Sequence, residues 1–430
     1  MRTLDYLALP VARAVEGKVR VPASKSATNR ALLLGALSPT AVEIVGPLES
    51  ADTRALIGCL TAMGASFEPT AEGLAAKGPL HGRGEEQIVL DAAESGTAAR
   101  FLAAVAAATP GSFMLTGSAR LLERPIGELV SALVSAGAMI SYAGAEGFLP
   151  LAIRGGFLRS GLIDVDASRS SQFVSALLLA GVAVEGGLEV RPTGPVASAP
   201  YVRTTLETLS AFGHRVSAGP VLRSARGASA VERYAPPGDY SSALPLLAAA
   251  GAAGGSVSVL GLAWPSHDAD AQALPVLEGL GLKLRRVPGG ICATGEPGKL
   301  APIDVVATDF PDAVPTLAAL AALAPGESRL AGIGHLRWKE SDRVESLADL
   351  ITRAGARAVA GREDLIVVGP VSAVAGGAVR LPTAGDHRIA MAAALLSLSV
   401  PGLLIENPDC VGKSYPDFFR DLESLVVRDG

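Results

Sequence analysis

A chain of 430 residues with a net charge of −5 and 18% charged side chains is long enough for two domains with separate cores. It has no overall field that would draw it to nucleic acid or a membrane surface. Cys59, Cys292 and Cys410 stand far apart with no CxxC, which argues against a disulfide framework and fits a reducing, cytoplasmic compartment. The five histidines are equally dispersed, and none sits at metal-ligand spacing, so no metal site is expected.

Up to Lys25 the N-terminal stretch alternates apolar and polar residues like a strand, and it lacks the apolar core of a signal peptide. Six similar segments follow: "SKSATNRALLLGAL", "ESGTAARFLAAVAA", "SRSSQFVSALLLAG", "DYSSALPLLAAAGA", "FPDAVPTLAALAAL" and "GDHRIAMAAALLSL". Each opens with small or polar residues and runs into an Ala/Leu-rich helix. The equivalent positions Lys25, Ser95, Ser170, Tyr240, Pro311 and Asp386 recur at intervals of 70, 75, 70, 71 and 75 residues. A fixed period predicts repeat architecture.

A β-branched or alternating run follows each helix, as in "VEIVGPL" and "SVSVLGL". Then comes a more amphipathic helix, as in "RALIGCLTAMGA" and "VESLADLITRAGA". Most of these second helices stop at Gly or Gly-Ala. The first helix of each unit is expected to be buried, and the second to show one face to water. The uncharged run from Leu244 to Pro265 has the length of a bilayer span. Pro245, Gly251, Gly254, Gly255 and the Ser/Val alternation behind them read instead as helix, turn, strand.

The unit is thus mixed α/β, and six units divide into two domains of three. The break is expected near "RYAPPGDY", at 233–240. Residues 21–238 are expected to form one domain, and 1–20 with 239–430 the other. The strand ahead of Lys25 fits either half on its pattern alone. A cleft between two such halves is a natural place for a ligand.

Helix N-termini attract phosphate and carboxylate, and here fixed cations recur beside them. The first repeat has Lys25 and Arg30, the second Arg100, and the sixth Arg388. The third offers Ser170, Ser171 and Gln172, although hydroxyls there serve equally as caps. "LLERPIGEL" adds Arg124, "RWKESDR" adds Lys339 and Arg343, and "DCVGKSYPDF" adds Lys413. In a chain so poor in charge, this pattern predicts small ligands bearing several phosphates or carboxylates. Asp312 and Glu340 sit among these cations, as counter-ions or as proton-transfer groups.

Eight motifs in order, "PASKSATNRALLLGAL", "SGTAARFL", "ERPIGELV", "SRSSQFVSALLLA", "FPDAVPTLAALA", "WKESDRVESL", "GDHRIAMAAALL" and "VGKSYPDFF", resemble the 5-enolpyruvylshikimate-3-phosphate synthase family over nearly the whole chain. The resemblance implies a two-domain enolpyruvyl transferase fold of six βαβαββ units, three per domain, with the active site in the interdomain cleft. It implies transfer of the enolpyruvyl group of phosphoenolpyruvate (PEP) to the 5-hydroxyl of shikimate 3-phosphate, with release of phosphate and no metal or organic cofactor.

By the same resemblance Asp312 takes the hydroxyl proton, while Glu340 and Lys25 share proton transfer at the PEP carbon. Lys25, Gly96, Arg124, Gln172, Arg343, Arg388 and Lys413 match the PEP site. Lys25, Ser26, Arg30, Ser170, Ser171, Gln172, Ser198, Tyr201, Asp312, His335 and Lys339 match the shikimate 3-phosphate site. The Gly96–Thr97 turn is expected to let backbone approach PEP closely. Asp342 is expected to orient its basic neighbours.

Two positions depart from the family pattern. Glu94 stands where Asn is frequent, and is expected either to pair with Arg100 or to weaken PEP binding. His335 likewise replaces a frequent Asn. With Gly96 and Thr97 retained, sensitivity to glyphosate, which occupies the family's PEP site, is expected, and Phe101 borders the same turn. A monomer is expected. The alternatives are UDP-N-acetylglucosamine enolpyruvyl transferase, against which Ser26 and the Cys-free "LTGSARLLERP" loop speak, and a non-catalytic binder of phosphorylated metabolites. Retention of both Asp312 and Glu340 speaks against the second.

Overall fold

Small side chains let helices pack closely against sheets, and here that rule is applied six times. The computed structural model describes residues 5–82, 84, 86–227, 231–264, 266–372 and 377–428. The first four residues of the N-terminal stretch, and Pro265 at the end of the uncharged run, lie outside them. Met1–Pro22 with Pro237–Gly430 forms one compact unit and Ala23–Pro236 the other.

The Ala23–Pro236 unit holds three four-stranded sheets. Gln87–Asp91 runs parallel to Gly111–Thr116, and the Gly96–Ala108 helix makes the crossover. Leu151–Gly155 and Met139–Tyr142 complete that sheet antiparallel. Gly161–Asp166 and Leu188–Thr193 repeat the plan across the Ser171–Ala180 helix. In the remaining sheet Val42–Val45, which follows the Lys25–Leu37 helix, takes its parallel neighbour from Arg233–Tyr234.

The other unit follows the same plan. Asp304–Val306 and Gly326–Ala331 flank the Val314–Leu323 helix, and Val379–Leu381 and Leu403–Glu406 flank the His387–Ser399 helix. Gly255–Leu260, after the Tyr240–Ala253 helix, pairs in parallel with Ala14–Arg20. The strand ahead of Lys25 therefore belongs to this unit.

Each crossover helix is apolar nearly all round and buried, as a helix enclosed by sheets and other helices must be. The amphipathic helices bury a single stripe. In Arg343–Arg353 the stripe is Arg343, Val344, Leu347, Leu350 and Ile351. Five of these second helices stop the same way, with Gly64, Gly137, Gly213, Gly281 and Gly355 at positive φ. The N–H after each glycine returns to a carbonyl in the last helical turn, as from Ala65 to Leu60 and from Ala356 to Ile351. The uncharged run is the Tyr240–Ala253 helix followed by the Gly255–Leu260 strand. Among the described residues no helix is long and apolar enough to cross a membrane.

Candidate active site

In the unit that contains Pro237–Gly430, the charges gather on Arg343. This residue opens its helix directly after the cap Asp342, whose carboxylate accepts from the Glu345 N–H at 3.2 Å. The guanidinium is buried, and its three nitrogens each meet a carboxylate. Nη1 donates to Asp312 at 2.7 Å, Nη2 to Glu340 at 2.8 Å and Nε to Asp386 at 2.8 Å. Burial opposes the charge, but Asp386, Glu340 and Asp312 outweigh it and keep the group ionised well above its ordinary value. Arg388 lies 3.8 Å from Asp312, and Lys413 lies 3.8 Å from Glu340. Three cations thus balance three carboxylates.

The three carboxylates differ in access. Asp386 is sealed at 0% exposure, while Asp312 and Glu340 keep 20% and 11%. Asp386 also caps the last crossover helix through the Arg388 N–H at 2.9 Å and accepts from the Ser341 hydroxyl at 3.1 Å. It is therefore placed to hold other groups, whereas the other two can meet a ligand. Asp342 pairs with Arg337 at 2.7 Å, and Arg337 reaches on to the Gly361 carbonyl. That matches an orienting role for Asp342.

Arg388 donates to the Ser241 carbonyl at 2.7 Å and also bonds the Ser241 hydroxyl. The carbonyl is available because Pro245, four residues on, has no N–H to give it. Pro245 lies within the Tyr240–Ala253 helix rather than ending it. The Ser241 hydroxyl in turn bonds Asp239, the cap of that helix.

Near Asp239 lies Asp268, whose carboxyl burial pushes up to about 7, with the charges of Asp239 and Asp312 adding to the rise. The folded state then holds more protons than the unfolded state between about pH 4 and 7, so stability is lost as pH rises through 7. Asp268→Asn keeps an acceptor for the Asp270 N–H, now at 2.9 Å, without the charge. Its stability advantage over the parent should grow by about 2 kcal/mol between pH 5 and pH 8. Urea midpoints at the two values measure this, and an advantage that shrinks toward pH 8 contradicts it.

His335 is pushed the other way, to about 3, chiefly by burial and then by the charge of Lys339. It is a neutral hydrogen-bonding group at working pH. Lys339 directly follows the short Gly334–Trp338 turn, four residues from His335.

In the Ala23–Pro236 unit, Lys25 begins its helix beside Asp52, with Nζ 3.3 Å from the carboxylate. Arg30, one turn on, is buried. It bonds Thr205 at 2.7 Å, the Tyr201 carbonyl at 3.1 Å, Ser175 at 3.3 Å, and both the carbonyl and the hydroxyl of Ser26. Its guanidinium also lies over the Phe101 ring. These bonds tie three helices together.

Gly96 is the first residue of its helix, and the Arg124 guanidinium lies against it. A β-carbon at Gly96 would stand 2.5 Å from Arg124 Cζ. Arg100 donates to the carbonyls of Gly96 at 3.2 Å and Pro125 at 2.7 Å, so it staples the turn to the segment that carries Arg124. Glu94 is exposed at the start of the same turn. Gln172 donates to the Thr97 hydroxyl at 3.1 Å. Ser170 is a cap, accepting from the Gln172 N–H at 3.2 Å, and Ser171 donates its own N–H to Ala197. Ser198 is buried with φ at 57°.

Sequence reasoning did not pick out Asp386, Asp52 or Ser241 as partners of the cations, nor Asp239 and Asp268 beside them. One signal was present: Asp239 and Asp386 each stand directly before the apolar run of a crossover helix, where a carboxylate caps.

Residues 11–422 match the model of the family described as EPSP synthase (3-phosphoshikimate 1-carboxyvinyltransferase). The chain belongs to the EPSP synthase family. A 3-phosphoshikimate 1-carboxyvinyltransferase of Vibrio atlanticus is 35% identical over 433 residues, covering 99% of this chain and all of that one. A namesake from Sulfurovum sp. is also 35% identical, over 98% and 99% of the two chains. The EPSP synthase structure of Acinetobacter baumannii superposes with a TM-score of 0.78 at 26% identity, covering 98% of each chain. The enolpyruvyl transferase NikO of Streptomyces tendae shares the fold, with a TM-score of 0.78 at 20% identity. EPSP synthases are transferases, and this member is an enzyme of that class.

Proposed function

We propose that this chain transfers the 1-carboxyvinyl group of PEP to the 5-hydroxyl of shikimate 3-phosphate, releasing phosphate, as a step of aromatic amino-acid biosynthesis. The observation that carries the reading is the pair of partly exposed carboxylates, Asp312 and Glu340, held 2.7 and 2.8 Å from one buried arginine. A site that only bound anions has no use for two carboxylates open to its ligand.

Asp312 is assigned the hydroxyl proton, and Glu340 with Lys25 the proton at the PEP carbon. Lys25, Gly96, Arg124, Gln172, Arg343, Arg388 and Lys413 are assigned to PEP. Lys25, Ser26, Arg30, Ser170, Ser171, Gln172, Ser198, Tyr201, Asp312, His335 and Lys339 are assigned to shikimate 3-phosphate. Fixed cations suit a reaction whose charge builds on phosphate and carboxylate oxygens. For Arg30, Ser170 and Tyr201 the assignment rests on family membership, since their described bonds run within the protein. The working form is proposed to be a cytoplasmic monomer.

The test is phosphate release from PEP with shikimate 3-phosphate or UDP-N-acetylglucosamine as acceptor. Release only with the first supports the reading. Release only with the second, or with neither, overturns it.

The Gly96 contact yields a sharper expectation. Gly96→Ala drives the Arg124 guanidinium aside, because the far end of a flexible side chain yields before backbone does. The KM for PEP should rise about tenfold while that for shikimate 3-phosphate holds. Glyphosate, proposed to compete with PEP, should weaken in the same variant. Steady-state kinetics with each substrate varied decides this, and an unchanged KM for PEP contradicts the assignment of Arg124.

A further inference from the structure

The His387–Ser399 helix packs beside the Tyr240–Ala253 helix and is tied to it at both ends. At the start Arg388 Nη1 donates to the Ser241 carbonyl at 2.7 Å, and at the end the Ser399 hydroxyl donates to the Ala252 carbonyl at 2.7 Å. Both bonds span 147 positions, so the helices run parallel and in one register. The bond at the end fixes how the helices lie along one another. What Arg388 meets at the start then depends on where the Ser241 carbonyl points.

In a regular helix that carbonyl belongs to the backbone ladder. Asp239, two residues earlier, accepts from the Ala243 N–H at 3.0 Å in the usual way. The donor due to Ser241 is residue 245, and proline has none. The proline ring also crowds the carbonyl four residues back and turns it off the helix axis. Pro245 is buried inside this helix, where proline is the least favourable residue of all. A local conflict of that kind is expected where a site requires it.

The surroundings of the guanidinium show what the freed carbonyl does. Arg388 is buried, with Nη1 on the Ser241 carbonyl and 3.6 Å from the Met391 sulfur, and Nη2 on the Ser241 hydroxyl. Nη2 stops 3.8 Å from Asp312, beyond hydrogen-bond reach. Opposite charges so close and so poorly solvated attract, and the two bonds to Ser241 pull against that attraction.

We infer that Ser241 and Pro245 are positioning residues for the reaction: the carbonyl freed by proline and the hydroxyl together hold Arg388 off Asp312 and keep its charge available to PEP. The inference rests on the assignment of Arg388 to PEP. Released from Ser241, Arg388 closes on Asp312 and the two neutralise each other. With the clamp intact, a cation and a proton acceptor stand side by side, each free to act on its own substrate.

Pro245→Ala restores the missing N–H and returns the Ser241 carbonyl to the ladder. The KM for PEP should rise about tenfold, the worth of one hydrogen bond to a charged group, while that for shikimate 3-phosphate holds. Lactic acid placed at position 245 by nonsense suppression has the alanine side chain on an ester link, without the N–H. It should keep the wild-type KM for PEP. An unchanged KM in Pro245→Ala, or an equal rise in both variants, overturns the proposal, the second because lost packing then explains the effect.

Crystal structures of the two variants need no turnover. Arg388 should bond Asp312 directly in Pro245→Ala and stay on the Ser241 carbonyl in the ester, and an unmoved guanidinium in both overturns the clamp. Wild type that releases no phosphate with shikimate 3-phosphate sinks the reading of the reaction, and the crystal structures still decide the clamp. If Pro245→Ala does not fold, Ser241→Ala replaces it. That variant removes only the hydroxyl, so Arg388 should shift toward Asp312 with about a threefold rise in the KM for PEP, and no change in either overturns the proposal.

Discussion

Asp312→Asn and Glu340→Gln should each lower turnover by about 10²- to 10⁴-fold, the usual worth of a positioned acid or base, while leaving folding stability nearly unchanged. Each amide keeps an oxygen that accepts from Arg343, now bonded at 2.7 and 2.8 Å. What each loses is the capacity to take or give a proton. The two carboxylates share one arginine, and each has a second cation at 3.8 Å. Their titrations are therefore coupled, and the limbs of the pH–rate profile belong to the set rather than to either residue. The amides should each remove a limb while binding of shikimate 3-phosphate persists. Stopped-flow single turnovers with equilibrium binding separate the two effects. Full turnover in either amide variant rules out the proton role.

Asp386→Ala should act on stability instead, lowering it by about 3–5 kcal/mol, as expected when a buried ion pair loses one partner. The carboxylate holds Arg343 Nε at 2.8 Å, the Ser341 hydroxyl and the first turn of the His387–Ser399 helix at once. Removing it leaves a buried guanidinium short of charge and a helix start without its cap. Adding Arg343→Met should restore much of the stability, because an apolar side chain has no charge to satisfy there, but it should restore no activity. Denaturant midpoints of the single and double variants test this. A single variant as stable as wild type would show that Asp386 is not needed to hold Arg343.

The two predictions rest on one distinction that sequence could not draw. Asp312, Glu340 and Asp386 are all acids near basic motifs, and spacing treats them alike. Their separations from Arg343 are 31, 3 and 43 positions. Only the packing of the segments that carry them, each just ahead of a helix, makes one sealed and two open to ligand. Pro245 shows the same limit from the other side. Read locally it breaks a helix, but in the fold it frees a carbonyl for Arg388, which lies 147 positions away from Ser241.

What the sequence determined by itself was whatever depends on neighbours within a turn or two. The apolar crossover helices, the amphipathic second helices and their glycine stops were all legible. Helical burial repeats every three to four residues, and a positive φ at the stop suits glycine. Tertiary structure decided what depends on distant partners. Ala14–Arg20 alternates like any half-buried strand, and nothing in that pattern says that it lies beside Gly255–Leu260 while Arg233–Tyr234 takes the place beside Val42–Val45. A strand's edges are backbone N–H and C=O groups common to all residues, so its partner is selected by which sheet its apolar face can cover.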